Sequence, residues 1–160
     1  MGAVIAIVLV LVLAGSVLWL KPSAAQQRQT QLRLRARRLG LDVRLCSLPQ
    51  TRRARVREER PEQGVVYRLL RFGDRKQLAL AYTVCRADAQ SEWESESAVA
   101  LPQTVRERLE LILPQLPADA VAFEITPQGC GVYWRERGDA DVVEKLKRLL
   151  ETMQEALTTA

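Results

Sequence analysis

Cys130 is the residue in this sequence with the clearest capacity for covalent chemistry, because it lies between Gly129 and Gly131 in a segment that predicts a turn. A thiol becomes a nucleophile when a neighbouring base or positive charge lowers its pKa. The sequence contains no His, so the activating group would have to be an Arg or a helix terminus. The structural alternative is that the two glycines only form a tight hairpin. Cys46 and Cys85 fall in predicted strands, where a free Cys usually behaves as a small apolar residue.

A carboxylate site is the second chemical possibility, since Glu124, Glu136 and Asp139 lie near the second predicted hairpin. Carboxylates can act as general acids and bases, although acidic residues at strand ends are normally solvated. The three cysteines are widely spaced and lack a fourth ligand, so the sequence predicts no metal site. It contains no GxGxxG, GxxxxGK[ST] or GxSxG motif, and no cofactor is predicted. An enzyme acting through carboxylates or Cys130 is therefore the alternative to a non-enzymatic protein.

Positive charge concentrated in the first 60 residues is the strongest functional signal. These residues hold 12 Lys and Arg and three acids, a net charge of +9, whereas residues 61–160 carry −4. One interpretation is contact with anionic lipid headgroups, and the other is that the charges only fix membrane topology. Nucleic-acid binding is disfavoured because no aromatic residues are interleaved with the arginines. The predicted membrane-interface residues are Trp19, Lys21, Arg28, Arg33, Arg35, Arg37 and Arg38, and four more arginines follow at Arg52, Arg53, Arg55 and Arg57.

An acidic segment around Trp93 is a second candidate contact surface. Glu92 and Glu94 flank the indole directly, and an exposed Trp among acids suits a basic partner surface. The alternative is that Trp93 folds back onto its own core, as large aromatic residues commonly do. The two interpretations differ in the exposure of the ring.

The apolar segment of residues 3–20 predicts a transmembrane helix ahead of these candidate sites. Eighteen residues without a charge form a helix about 27 Å long, just enough to cross the hydrocarbon core of a bilayer. Positive side chains follow this segment and none precedes it, so we expect an outward N-terminus and a cytoplasmic domain at a bacterial inner membrane. The alternative is a cleaved signal peptide with Ser23-Ala24-Ala25 as the cleavage site.

The remaining elements predict an α+β domain. A capping box at Ser23 and a stop at Gly40 bound a first helix, and alternation over residues 41–48 predicts a strand with Leu41, Val43 and Leu45 inward. Residues 49–64 and 87–98 are predicted loops. Hairpins are predicted from residues 65–72 with 77–86, and from residues 121–126 with 131–135. Apolar residues at three- and four-residue steps predict helices near residues 102–114 and from Asp141 onward.

We therefore predict a transmembrane helix followed by a small domain with a largely antiparallel sheet, two β-hairpins plus one strand, packed by two or three helices. Residues 1–22 form the anchor, residues 23–60 the basic juxtamembrane helix, strand and loop, and residues 61–160 the remainder, with 24–160 as one folding unit. The leading functional hypothesis is an accessory protein that binds another membrane or membrane-proximal protein. The alternatives are a membrane-associated enzyme and a binder of anionic lipid surfaces.

Overall fold

The computed structural model describes residues 2–3, 23–71, 80–95, 97 and 99–159. The chain divides into two compact units, residues 1–30 and residues 31–160. Apart from Ala3, the predicted transmembrane segment lies outside the described residues, as do Trp19 and Lys21. No helix within the described ranges is both long and apolar enough to cross a bilayer.

The described chain is an α+β structure whose six strands form one antiparallel sheet. A short 3₁₀ turn, Leu113–Gln115, follows the third of its four α-helices. In chain order the helices and strands are α1 (Ala24–Arg38), β1 (Asp42–Ser47), α2 (Arg52–Val56), β2 (Gln63–Leu70), β3 (Tyr82–Cys85), β4 (Glu94–Ser95), α3 (Gln103–Ile112), β5 (Ala120–Thr126), β6 (Gly129–Trp134) and α4 (Ala140–Thr159).

The strand order β1-β2-β6-β5-β3-β4 corrects the first predicted hairpin. β2 and β3 do not pair with each other, because β6 and β5 lie between them. Proximity in sequence favours pairing of consecutive strands, but burial decides otherwise here. Nearly every residue of β5 and β6 is buried, and strands of that kind belong in the centre of a sheet, where both faces are covered. The second predicted hairpin, β5 with β6, is confirmed.

One face of the sheet packs against the helices and forms the main core. Its largest fully buried side chains include Tyr67, Phe123 and Trp134. α4 contributes a stripe at three- and four-residue steps, which confirms the predicted periodicity: Val143, Leu146, Leu149, Leu150, Met153 and Leu157. α3 contributes Val105, Leu109 and Ile112, also as predicted.

Three local predictions are wrong. Leu45 lies on the same sheet face as Val43 but is 71% exposed, because β1 is an edge strand and the buried cluster reaches Val43 and no further along it. The predicted loop 49–64 contains α2 and the start of β2, since Thr51 accepts a hydrogen bond from the Ala54 N–H at 3.3 Å and so caps a helix start. The predicted loop 87–98 contains the two-residue strand β4.

Candidate functional site

A cluster of three polar side chains occupies the centre of the other sheet face. Arg68 on β2 and Glu124 on β5 both pair in register with Gly131 on the strand between them. A Cβ at position 131 would lie 2.8 Å from Arg68 Cγ and 3.0 Å from Glu124 Oε1, so the missing side chain of Gly131 makes room for an ion pair across three strands. Tyr133, two residues further along β6, completes the cluster.

Every member of this cluster already has a partner. Arg68 Nε donates to Glu124 Oε1, and the Tyr133 hydroxyl donates to Glu124 Oε2 at 2.7 Å. Burial, and then the hydrogen bond to Glu124, raise the pKa of Tyr133 to about 12, so its phenol is protonated at neutral pH. Both oxygens of the Glu124 carboxylate accept hydrogen bonds from within the domain, so the cluster links β2, β6 and β5 across the sheet.

A second buried cluster joins α1 to the sheet. The Glu136 carboxylate, 2% exposed, accepts hydrogen bonds from Arg33 Nε at 2.9 Å and from the Tyr67 hydroxyl at 2.6 Å, and Arg33 Nη2 also donates to it. Glu136 has a φ of 57°, a left-handed conformation that costs an ordinary L residue free energy. The carboxylate is thus held in an unfavourable backbone conformation by a bidentate arginine and a tyrosine.

Two of the arginines predicted to contact the membrane form ion pairs within the domain. Arg33 binds Glu136, and Arg35 forms an ion pair with Glu144 on α4. Both acids belong to the acidic part of the sequence, so part of the charge imbalance between the two parts is neutralised within the fold. Arg28, Arg37 and Arg38 are exposed on α1, and their predicted contact with lipid stays a prediction.

Another exposed basic surface lies on α2. We call it the arginine surface, defined by Arg52, Arg53, Arg55, Val56 and Arg57, all of which are exposed. Val56, 76% exposed, is an apolar side chain that lies between Arg55 and Arg57 in the sequence. The predicted loop is wrong for these arginines, and Thr51, a good N-cap residue, is the sequence signal that indicates the helix.

The segments on either side of α2 contact the sheet. Leu48 covers Gly64, where an added Cβ would meet the Leu48 side chain at 2.4 Å. Leu48, Ala54 and Val121 line a cavity of about 150 Å³ beneath α2. After the helix, Glu62 accepts a hydrogen bond from Arg135 Nε at 2.8 Å. The arginine surface therefore lies between two segments that pack on the sheet, above a cavity with both apolar and polar lining residues.

Trp93 lies half-buried against the core, with Glu92 and Glu94 exposed beside it. The guanidinium of Arg86 stacks on the indole, 4.4 Å from the ring centroid, and donates to the carbonyl oxygens of Ala120 and Pro117. Nothing in the sequence spacing of Arg86 from Trp93 indicates this stacking. A partner contact by Trp93 and its two acids stays a prediction.

Cys130 lies within β6 and not in a turn, which corrects the sequence prediction. Its side chain is 1% exposed, Sγ donates to the Leu150 carbonyl oxygen at 3.4 Å, and burial raises the thiol pKa to about 12. The flanking glycines have a packing role: Gly129 has φ +146°, and a Cβ there would lie 2.1 Å from the Leu69 carbonyl oxygen. The geometry thus gives Cys130 neither substrate access nor activation.

Within the described residues, no group of three or more Cys, Asp or Glu side chains is arranged to hold a metal ion. Comparison of the chain with protein-family models, with curated proteins and with solved structures gave no match.

Proposed function

We propose that this chain is a non-enzymatic accessory protein, held at the cytoplasmic face of a bacterial inner membrane by residues 3–20, that binds another protein through the arginine surface. The observation that carries the proposal is the combination on α2 of exposed arginines with a 76% exposed Val56. A planar guanidinium binds carboxylates through two parallel hydrogen bonds, and arginine is enriched at the energetic centres of protein interfaces. The expected partner therefore presents an acidic surface with an apolar centre.

The state of the other chemical groups supports binding over catalysis. Glu124 and Glu136 each accept hydrogen bonds from an arginine and a tyrosine inside the domain. The Cys130 thiol is buried and protonated at neutral pH. A catalytic acid, base or nucleophile has to reach its substrate, and these groups contact the domain instead.

Binding of an anionic lipid surface is the second candidate function. The arginine surface favours it, since each Lys or Arg near a negative leaflet contributes roughly 1 kcal/mol. Arg28, Arg37 and Arg38, exposed on α1, would add to the same attraction.

Charge reversal on α2, with a matched control on α1, separates these functions. We would crosslink full-length wild type, Arg52→Glu/Arg53→Glu and Val56→Asp in membranes and quantify the proteins captured with each. The control, Arg37→Glu/Arg38→Glu, makes the same change of charge on another helix. The proposal expects at least one protein to be captured by wild type and the control but not by either α2 variant.

The lipid function is measured on the same variants, produced as residues 23–160, with vesicles of phosphatidylglycerol and phosphatidylethanolamine. Vesicle binding that falls with salt and with both charge-reversal variants would favour the lipid function, if the crosslinking captures no protein whose capture depends on α2. If α2 substitutions changed neither measurement, both functions would be excluded for this surface. A reporter fused to the C-terminus and N-terminal sequencing of the mature chain test the anchor and its direction.

A further inference from the structure

We propose that a groove between α3 and α4 binds an acidic amphipathic helix of a partner protein. This α3–α4 groove has a volume of about 680 Å³. It is separate from the arginine surface, so the inference adds a second binding site and does not depend on the first. Its lining residues are Arg108, Leu111, Ile112, Gln115, Asp141, Lys145, Arg148, Leu149 and Thr152.

Helical periodicity places these residues along two facing stripes. On α4, Asp141, Lys145, Arg148 and Thr152 recur at steps of four, three and four residues. On α3 and the turn after it, Arg108, Leu111 or Ile112, and Gln115 recur in the same way. Residues at these steps share one face of a helix, so the groove runs for about two turns along α3 and about three turns along α4.

The apolar part of the groove contains an exposed leucine above a buried base. Ile112 and Leu149 are 1% and 8% exposed and belong to the core, whereas Leu111 is 62% exposed. Leu111 lies off the buried stripe of α3, which Val105, Leu109 and Ile112 form. Leu111 is therefore not part of the core, and its side chain is available for an apolar contact with a partner in the groove.

The charges of the groove determine the chemistry of its occupant. Arg108, Lys145 and Arg148 are exposed, against one lining acid, Asp141. In the part of the chain that the structure describes, none of these three cations is in an ion pair, whereas Arg33, Arg35, Arg68 and Arg135 each bind a carboxylate. The α3–α4 groove therefore fits a ligand that is acidic on its flanks and apolar at its centre.

The composition of the lining favours a peptide over a small amphiphile. The volume falls within the range of about 300–1,000 Å³ for ligand sites. Three of the nine lining residues are cations on two different helices, which is more positive charge than the single carboxylate of a small amphiphile would neutralise. An amphipathic helix in a groove instead uses apolar anchors at i, i+3, i+4 and i+7 while its polar flanks meet charges at the rim. Leu111 between the cations of α3 and α4 matches that arrangement.

The test uses a fluorescent helical peptide with Leu at i, i+3, i+4 and i+7 and Glu at the flanking positions, titrated against the full-length protein in detergent. We expect saturable binding that weakens with salt, and that Leu111→Asp and Lys145→Glu/Arg148→Glu each weaken about tenfold or more, equal to about 1.4 kcal/mol. Leu34→Asp, at a leucine 48% exposed on α1, is the matched control and should bind as wild type does. Circular dichroism checks that each variant is folded.

Four results would overturn the inference. The first two are absence of saturable binding, and binding of a peptide with Lys in place of Glu as tightly as the Glu peptide. The third is that Leu34→Asp weakens binding as much as Leu111→Asp does. The fourth is preferential displacement of the peptide by dodecanoate, which would make the groove a site for amphiphiles. Self-association of the full chain that Leu111→Asp abolishes would likewise replace the peptide by a second copy. Arg52→Glu/Arg53→Glu should leave peptide binding intact, so failure of the arginine surface and failure of this groove are distinguishable.

Discussion

Replacing Glu136 with Gln should destabilise the fold by about 3 kcal/mol, because it removes the charge that compensates Arg33. Gln keeps the shape of the side chain and one oxygen that can accept from Tyr67, so the change tests the ion pair more than the packing. Removing one partner of a buried pair costs about 3–5 kcal/mol. Arg33 is 27% exposed and can reach water, which places Glu136→Gln at the lower end of that range.

The reverse substitution, Arg33→Met, should cost more than Glu136→Gln. It leaves a carboxylate that is 2% exposed without its cation, and this group cannot turn to solvent as the arginine can. The double variant Arg33→Met/Glu136→Gln removes both charges and should be less destabilised than Arg33→Met alone. Arg35→Met is the control, because its pair with Glu144 is 47% and 41% exposed and should contribute less than about 1 kcal/mol.

Urea unfolding of the full-length protein in detergent, followed by circular dichroism, measures these differences. With a slope of roughly 2 kcal/mol per M urea, a loss of 3 kcal/mol lowers the midpoint by about 1.5 M. Strictly additive effects in the double variant, or equal losses for Arg35→Met and Glu136→Gln, would refute the assignment of a buried, coupled pair.

Three further predictions test the sheet. In the same urea assay, Gly129→Ala should cost about 3 kcal/mol or more, because the added Cβ would meet a backbone oxygen at 2.1 Å. Gly131→Ala should cost about 1–3 kcal/mol, because its Cβ would meet a flexible arginine side chain at 2.8 Å. A larger loss of stability for Gly131→Ala than for Gly129→Ala would contradict this explanation. Alkylation of the native protein followed by mass spectrometry should modify half-buried Cys46 before Cys130, whose pKa burial raises to about 12, and rapid labelling of Cys130 would count against its burial. Burial and the bond to Glu124 raise the pKa of Tyr133 from its ordinary 10.0 to about 12, so its contribution to stability is complete below pH 10 and lost as the pH rises toward 12. Tyr133→Phe should therefore flatten the alkaline fall in stability, and an unchanged slope would be evidence against a partly buried Tyr133 bonded to Glu124.

Local signals in the sequence predicted several elements well. The capping box at the start of α1 is present, with Gln26 N donating to Ser23 Oγ at 3.2 Å and Ser23 N donating to Gln26 Oε1 at 2.9 Å. The buried stripe of α4 and the β5–β6 hairpin also followed from short-range patterns. In each case the residues that determine the element lie within a few positions of one another.

The errors came from partners far apart in the chain. Arg33 and Glu136 are 103 positions apart, and no local pattern distinguishes a buried arginine from its exposed neighbours. The run Gly129-Cys130-Gly131 indicated a turn because glycine has two uses, and here both glycines make room for neighbouring strands. Leu111 and the cations of α4 also lie far apart in the chain, so no local pattern indicated the α3–α4 groove.

The insertion of β5 and β6 between β2 and β3 has a consequence for synthesis of the chain. A nascent polypeptide that has reached α3 holds the two outer parts of the sheet, β1 with β2 and β3 with β4, but lacks the centre that joins them. β3 presents an unpaired edge until β5 leaves the ribosome, and β2 does so until β6 follows, and each edge can pair with a neighbouring chain. A product truncated before β6 would for that reason be expected to aggregate, and not to persist as a partly functional domain.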